Sequence, residues 1–218
     1  MIRFKLCAAM LGALMTIGMG AAAQPISKAE DLKPDTPFAG FLKSQEHAKL
    51  RAAIAVREDK GVGRECKDNY TLGNYAMKIV APIEMDAGAV IPKSGRWLER
   101  FQVTRCGRQS LFNAIFVINE QGKMVVTPVA PGETAQDLQL VLDLRPLIVK
   151  KAKIESCEQR GLLDTAKGPP EGYDPKVADG VYETWTVSGC GKDVDLVLLF
   201  ATRPDGQVDV QVEKQLPR

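Results

Sequence analysis

The residues best suited to chemistry in this chain are two glutamates set among large apolar side chains. Residues 97–107 read WLERFQVTRCG and residues 181–191 read VYETWTVSGCG. Every second residue of the first stretch gives Trp97, Glu99, Phe101 and Val103; the same step in the second gives Glu183, Trp185 and Val187. Period-two alternation predicts half-buried strands, with Glu99 and Glu183 pointing to the core side. A carboxylate buried without partners costs on the order of several kcal/mol, or takes up a proton instead. Three readings compete. Each glutamate pairs near a strand edge with backbone N–H groups or a cation, for which Arg64, Arg96, Lys153 and Arg160 are the candidates. Alternatively, the glutamates face a cleft and hold a ligand. In the third reading they form a general acid and base, as in glycoside hydrolysis. A repeated module repeats its structural ion pairs, which favours the first. Glu99 and Glu183 are therefore the candidate binding residues, and no residue is assigned as catalytic.

Other chemistry is thin. His47 is the only histidine and sits in a helix-like segment. A Ser-His-Asp or Cys-His arrangement would require it to reach the strands; a surface or half-buried helix position is expected. One histidine and no CxxC pair leave neither the usual zinc set nor a thioredoxin-type motif, so no metal and no cofactor are expected. Gly61-Val62-Gly63 lacks the lysine and hydroxyl of a phosphate-binding loop and reads as a flexible turn. Lys150, Lys151 and Lys153 read as solvated or as a helix end, and 167–173, KGPPEGY, as a connecting loop. Trp97 and Trp185, which do not align with each other, are expected to fill the core.

These residues need elements to hold them, and the elements appear twice. With Cys106-Gly107 laid over Cys190-Gly191, Glu99 matches Glu183, Phe101 matches Trp185 and Val103 matches Val187. Downstream, without a gap, Ile115-Phe116 falls on Leu199-Phe200, Gly122 on Gly206 and Val126 on Val210. An internal repeat with a core of about thirty residues follows. Each unit reads as helix, cysteine, irregular segment, strand to the CG pair, strand, glycine turn and strand. Residues 38–57 form the first helix, with Thr36 as cap and Pro37 in the first turn. Residues 134–145 form the second, with Thr134 as cap, Asp137 in the first turn and Pro146 ending or kinking it. Leucines at 138, 140, 142 and 144 also alternate like a strand. The turns Asn119–Gly122 and Arg203–Gly206 both end in glycine. Residues 127–133, TPVAPGE, form the junction.

The first 23 residues read as a secretory signal peptide: Arg3 and Lys5, an apolar run from Leu6 to about Gly20, then Ala21-Ala22-Ala23 as the cleavage site. Of 29 Lys and Arg against 27 Asp and Glu, two positives lie in this leader, so 27 of each remain in the 195-residue remainder. A balanced charge gives no footprint for nucleic acid, and no second long apolar run predicts a stable membrane span. Four of the five cysteines remain: Cys66, Cys106, Cys157 and Cys190. An even number in an exported chain predicts two disulfides in an oxidising compartment, periplasmic or fully secreted. Three pairings are open on spacing; the repeat selects Cys66–Cys106 and Cys157–Cys190, each worth roughly 4 kcal/mol in the chain-entropy model.

The pattern G-x-W-x-E-x-W-x-V-x-x-C-G resembles one found in uncharacterised exported proteins of proteobacteria. Gly95, Trp97, Glu99, Phe101, Val103, Cys106 and Gly107 carry it in the first unit; Val181, Glu183, Trp185, Val187, Cys190 and Gly191 carry it in the second. Phe101 replaces the second aromatic and Val181 the first. The resemblance implies a small secreted β module and no activity. The expected fold is α+β: a leader (1–23) and two tandem repeats (24–130 and 131–218), each a helix followed by a small antiparallel sheet stapled by one disulfide. The expected function is a non-catalytic exported binding or structural module of the bacterial envelope, its partner a protein, an envelope component or a small ligand. The alternative is a carboxylate-dependent hydrolase acting on envelope polysaccharide.

Overall fold

The computed structural model describes residues 27–28, 36–67, 69–177 and 180–218. The expected leader, including Cys7, lies outside the described residues. The protein is α+β, with antiparallel sheets and two disulfides. The first sheet has the order β1-β2-β3-β4-β5, from Ser27–Lys28, Thr71–Glu84, Ser94–Arg105, Arg108–Ile118 and Met124–Pro131. The second has the order β6-β7-β8-β9, from Arg160–Lys167, Val181–Gly189, Lys192–Thr202 and Val208–Pro217. Helices α1 (Pro37–Leu42) and α2 (Gln45–Gly61) precede most of the first sheet, and α3 (Leu138–Lys151) precedes the second.

The central hairpins follow the alternation. Trp97, Phe101 and Val103 are buried along β3, opposite Phe116, Phe112 and Ser110 of β4. Both CG pairs form two-residue turns that need left-handed backbone, with φ of 44° at Cys106 and 50° at Cys190. The following glycines carry the same sign at no steric cost, as primed hairpin turns require. Asn119–Gly122 and Arg203–Gly206 close the next hairpins through Gly122 N–H to Asn119 O and Gly206 N–H to Arg203 O, each 2.9 Å. Cys66–Cys106 and Cys157–Cys190 are the disulfides, with Cα separations of 5.9 and 5.7 Å.

Several expectations need correction. The segments after Cys66 and Cys157 are not irregular: they hold β2 and β6. Strand β2 shifts register against β3 at three places and buries only Met77 fully, so it shows no alternation. The first helix is two: Thr36 caps α1, accepting from the Ala39 N–H at 3.2 Å, and Ser44 caps α2, accepting from the His47 N–H at 3.2 Å. The second helix starts four residues later than expected, with Asp137 as its cap. It passes through Pro146 to Lys151. An interior proline costs about 3 kcal/mol. Burial of Leu138, Val141, Leu144 and Ile148 in one helical stripe, about 1.5–3 kcal/mol each, outweighs it and decides against the strand reading of the leucines. The junction is shorter than 127–133, because β5 runs to Pro131.

Two cores result. Phe38, Phe41, Leu42, Ile54 and Ala55 of α1 and α2 cover the Trp97 face of the first sheet. The other core joins Ile115, Val129 and Ala130 of the first sheet to α3 and to Trp185, Val187, Leu196, Leu198 and Phe200 of the second. It therefore crosses the expected boundary at residue 130/131. Arg64 to Asp193 (2.6 Å) and Arg145 to Glu58 (2.5 Å) tie the halves further.

Candidate functional site

Glu99 and Glu183 are both fully buried, each beside the tryptophan two residues away on the same strand face. Glu99 Oε1 accepts from Trp97 Nε1 at 2.6 Å and lies 2.7 Å from His47 Nε2. Its Oε2 faces Arg51 Nε at 3.7 Å, an ion-pair distance without a hydrogen bond. Arg51 is held by donating to Leu42 O at 2.6 Å and by stacking over Tyr75, 4.1 Å from the ring centre. Phe41 and Phe116 close over His47 at 4.6 and 5.2 Å between ring centres. In the second half, Glu183 Oε2 accepts from Trp185 Nε1 at 2.8 Å. Its Oε1 accepts from Thr134 Oγ1 at 2.8 Å and from the Ala135 N–H at 2.7 Å.

Pairing thus describes both glutamates, but none of the expected cations supplies it. Arg64 goes to Asp193, Arg96 to Gln139 and Arg160 to the carbonyls of Cys157 and Ala152. Lys153 meets Gln215 through its backbone. His47 is not on the surface: it is fully buried and does reach the strands. Its ring meets Glu99, Phe41 and Phe116. Both tryptophans are fully buried.

The open polar surface is elsewhere. A cleft of about 480 Å³ lies where the two halves meet, lined by Gln102 and Gln109–Leu111 of the first sheet, Gly132 and Glu133 of the junction, and Asp164–Lys167 of β6. Its floor is tight. Gly132 has φ of 89°, and a Cβ there would overlap the Thr165 backbone and Asp164 Oδ1. Burial pushes the Asp164 carboxyl above its ordinary value, against the Thr165 N–H that it accepts from at 3.0 Å and the field of Arg218, which both favour the charged form. Lys167 sits 3.6 Å from Glu133. The Gln109 and Gln102 amides meet across the strand pair at 3.5 Å. Neither candidate glutamate lines this cleft. Sequence reasoning missed Asp164, although an acid inside the apolar run Leu162-Leu163-Asp164 is the same kind of signal as Glu99.

Among the described residues no group of three or more His, Cys, Asp or Glu is placed to hold a metal ion, and no helix is long and apolar enough to cross a membrane. No family model, curated protein or solved structure matches the chain.

Proposed function

We propose that this is a non-catalytic binding module of the bacterial envelope, exported to the periplasm or beyond, whose ligand enters the seam cleft. The carrying observation is a division of labour among the polar groups. Glu99 and Glu183, the acids common to both halves, have their partners inside the two cores. The seam cleft instead presents amides and carboxylates on open walls. Two disulfides support the oxidising compartment. The two halves are copies of one helix-plus-sheet module. The shared CG turn geometry, the matched disulfides and the tryptophan–glutamate bond in each sheet support that reading.

The test is affinity capture from an envelope fraction by the processed, oxidised protein, run beside a Gln109→Trp variant that fills the cleft. Components retained by the wild type and lost by the variant are the expected result; identical retained sets would sink the assignment. A second reading, the carboxylate-dependent hydrolase, draws on Glu133 and Asp164 sharing the cleft, with Asp164 biased toward its protonated form. Release of reducing ends from envelope polysaccharide, abolished by Asp164→Asn, would replace the first reading with this one.

A further inference from the structure

The seam cleft is one strand wide, because the chain itself sets its width. Pro131–Glu133 lies between β4 and β6 and bonds to both. The Gly132 N–H donates to Leu111 O at 2.8 Å, the Glu133 N–H donates to Thr165 O at 2.7 Å, and Thr165 Oγ1 donates to Pro131 O at 2.7 Å. Neighbouring strands lie about 4.8 Å apart, so β4 and β6 are held roughly two spacings apart here. After Glu133 the chain leaves the gap, because Thr134 and Ala135 bond to Glu183. The gap continues without it, as the cleft between Gln109–Leu111 and Asp164–Lys167.

Both walls are strand edges whose far sides are already paired, Gln109 with Thr104 and Lys167 with Glu183. Backbone groups alternate sides along an antiparallel strand. Leu111 O points into the gap, so the N–H and C=O of Gln109 point there too. Thr165 O points into it from the other wall, and the N–H and C=O of Lys167 follow. Pairing of β4 with β5 stops at Phe112–Pro131, so no described strand covers these groups. The charge pattern is equally specific. Lys167 is matched to Glu133, whereas the hydrogen-bond partner of Asp164 is a backbone N–H. Arg105 and Arg218 are bound to Asp59 and Asp195. Among the described residues, no aromatic ring lines the cleft to stack on a sugar.

We propose that an extended peptide carrying a Lys or Arg side chain binds as an added strand between Gln109–Leu111 of β4 and Asp164–Lys167 of β6, with its cation on Asp164. This rests on the reading of the cleft as the ligand site. Main-chain hydrogen bonds to both walls supply the affinity, and Asp164 selects the basic side chain.

The test is selection from a displayed library of random heptapeptides on the processed, oxidised protein. Enrichment of sequences with Lys or Arg at one fixed position is expected. N-methylation of alternate amides in a selected peptide weakens binding roughly tenfold or more in either register, since successive N–H groups face opposite walls, as those of Gly132 and Glu133 do. Gln109→Pro and Lys167→Pro each weaken binding by a similar factor, because each removes one gap-facing N–H and spares the paired side. Asp164→Asn erases the preference for Lys over norleucine. Absence of enrichment, or binding unchanged by N-methylation in either register, overturns the proposal; the second result needs no protein variant. Titration with chitotriose, read at the Gln109 and Lys167 amide resonances, separates this failure from that of the binding reading. Shifts there without peptide enrichment leave a ligand cleft of another class. No shift, together with identical capture by wild type and Gln109→Trp, removes both.

Discussion

Replacing Glu183 by glutamine tests whether the buried acid exists for fit. Three donors converge on its two oxygens: Trp185 Nε1 on Oε2, and Thr134 Oγ1 and the Ala135 N–H on Oε1. Glutamine has one acceptor end. Turned toward Thr134 and Ala135, its oxygen keeps two of the bonds, and its NH2 then faces the indole N–H, donor against donor. One bond is lost and a fully buried donor is orphaned, a cost of about 1–3 kcal/mol. For a protein of this size that lowers Tm by roughly 2–4 °C per kcal/mol. The second half of the argument is sharper. Trp185→Phe removes the opposing donor, so in that background Glu183→Gln costs less, with a coupling of about 1–2 kcal/mol. Urea denaturation of the oxidised protein, followed by far-UV circular dichroism because two of the variants lack a tryptophan, measures all four corners of the cycle. If Glu183→Gln shifts stability by under about 0.5 kcal/mol, or the two changes simply add, the hydrogen-bond account of this acid is wrong.

Other expectations follow from single contacts. His47→Leu removes the 2.7 Å partner of Glu99 Oε1 and destabilises by about 1–3 kcal/mol, read as the urea midpoint; a neutral result would separate His47 from the buried network. Asp164→Asn raises Tm at neutral pH. Burial raises the folded-state pKa of Asp164 above 3.8, so the wild type carries no penalty below that value and an increasing one as pH rises through the folded pKa. The gain should therefore vanish near pH 3, and a gain independent of pH would refute it. Gly132→Ala imposes both overlap with Thr165 and left-handed strain, at least about 1–3 kcal/mol, and should raise amide exchange at Glu133 before other sites. Removing Cys157–Cys190 as a pair of alanines costs roughly 4 kcal/mol in the chain-entropy model, measured by the same urea titration.

What the sequence made legible was local or carried by stretches that match each other. The β3–β4 hairpin shows because alternation, a two-residue CG turn and an apolar return strand act within about twenty residues. The disulfide pairing shows because each cysteine has a counterpart in the other half. Strand β2 was hidden because its exposure lacks a consistent face, with Gly73, Asn74 and Pro82 inside it and bulges along its pairing with β3. Helix α3 was cut short at Pro146 because local propensity weighs against a proline, while the apolar stripe that overrides it is satisfied only by packing against the strands of both sheets. His47 meets Glu99 across 52 residues, and nothing near either one announces the other. The cleft was the least legible feature. Its walls belong to different halves, and its width comes from Pro131–Glu133, which bonds to both.

The two tryptophans carry the last step of the argument. They fail to align because Trp97 precedes its glutamate by two residues and Trp185 follows its own by two. On a strand, positions two before and two after share a face, so an indole N–H can reach the same carboxylate from either direction. The structure uses both solutions, at 2.6 Å in one sheet and 2.8 Å in the other. What the halves hold in common is therefore a buried acid with an indole donor beside it, rather than a tryptophan at a fixed alignment position. The remaining partners differ freely: His47 and Arg51 from a helix in the first half, Thr134 and Ala135 from the junction in the second. That second set draws the chain out of the gap after Glu133. The junction that satisfies the Glu183 core thus leaves the seam cleft open, so the structural acid of one half shapes the cleft shared by both.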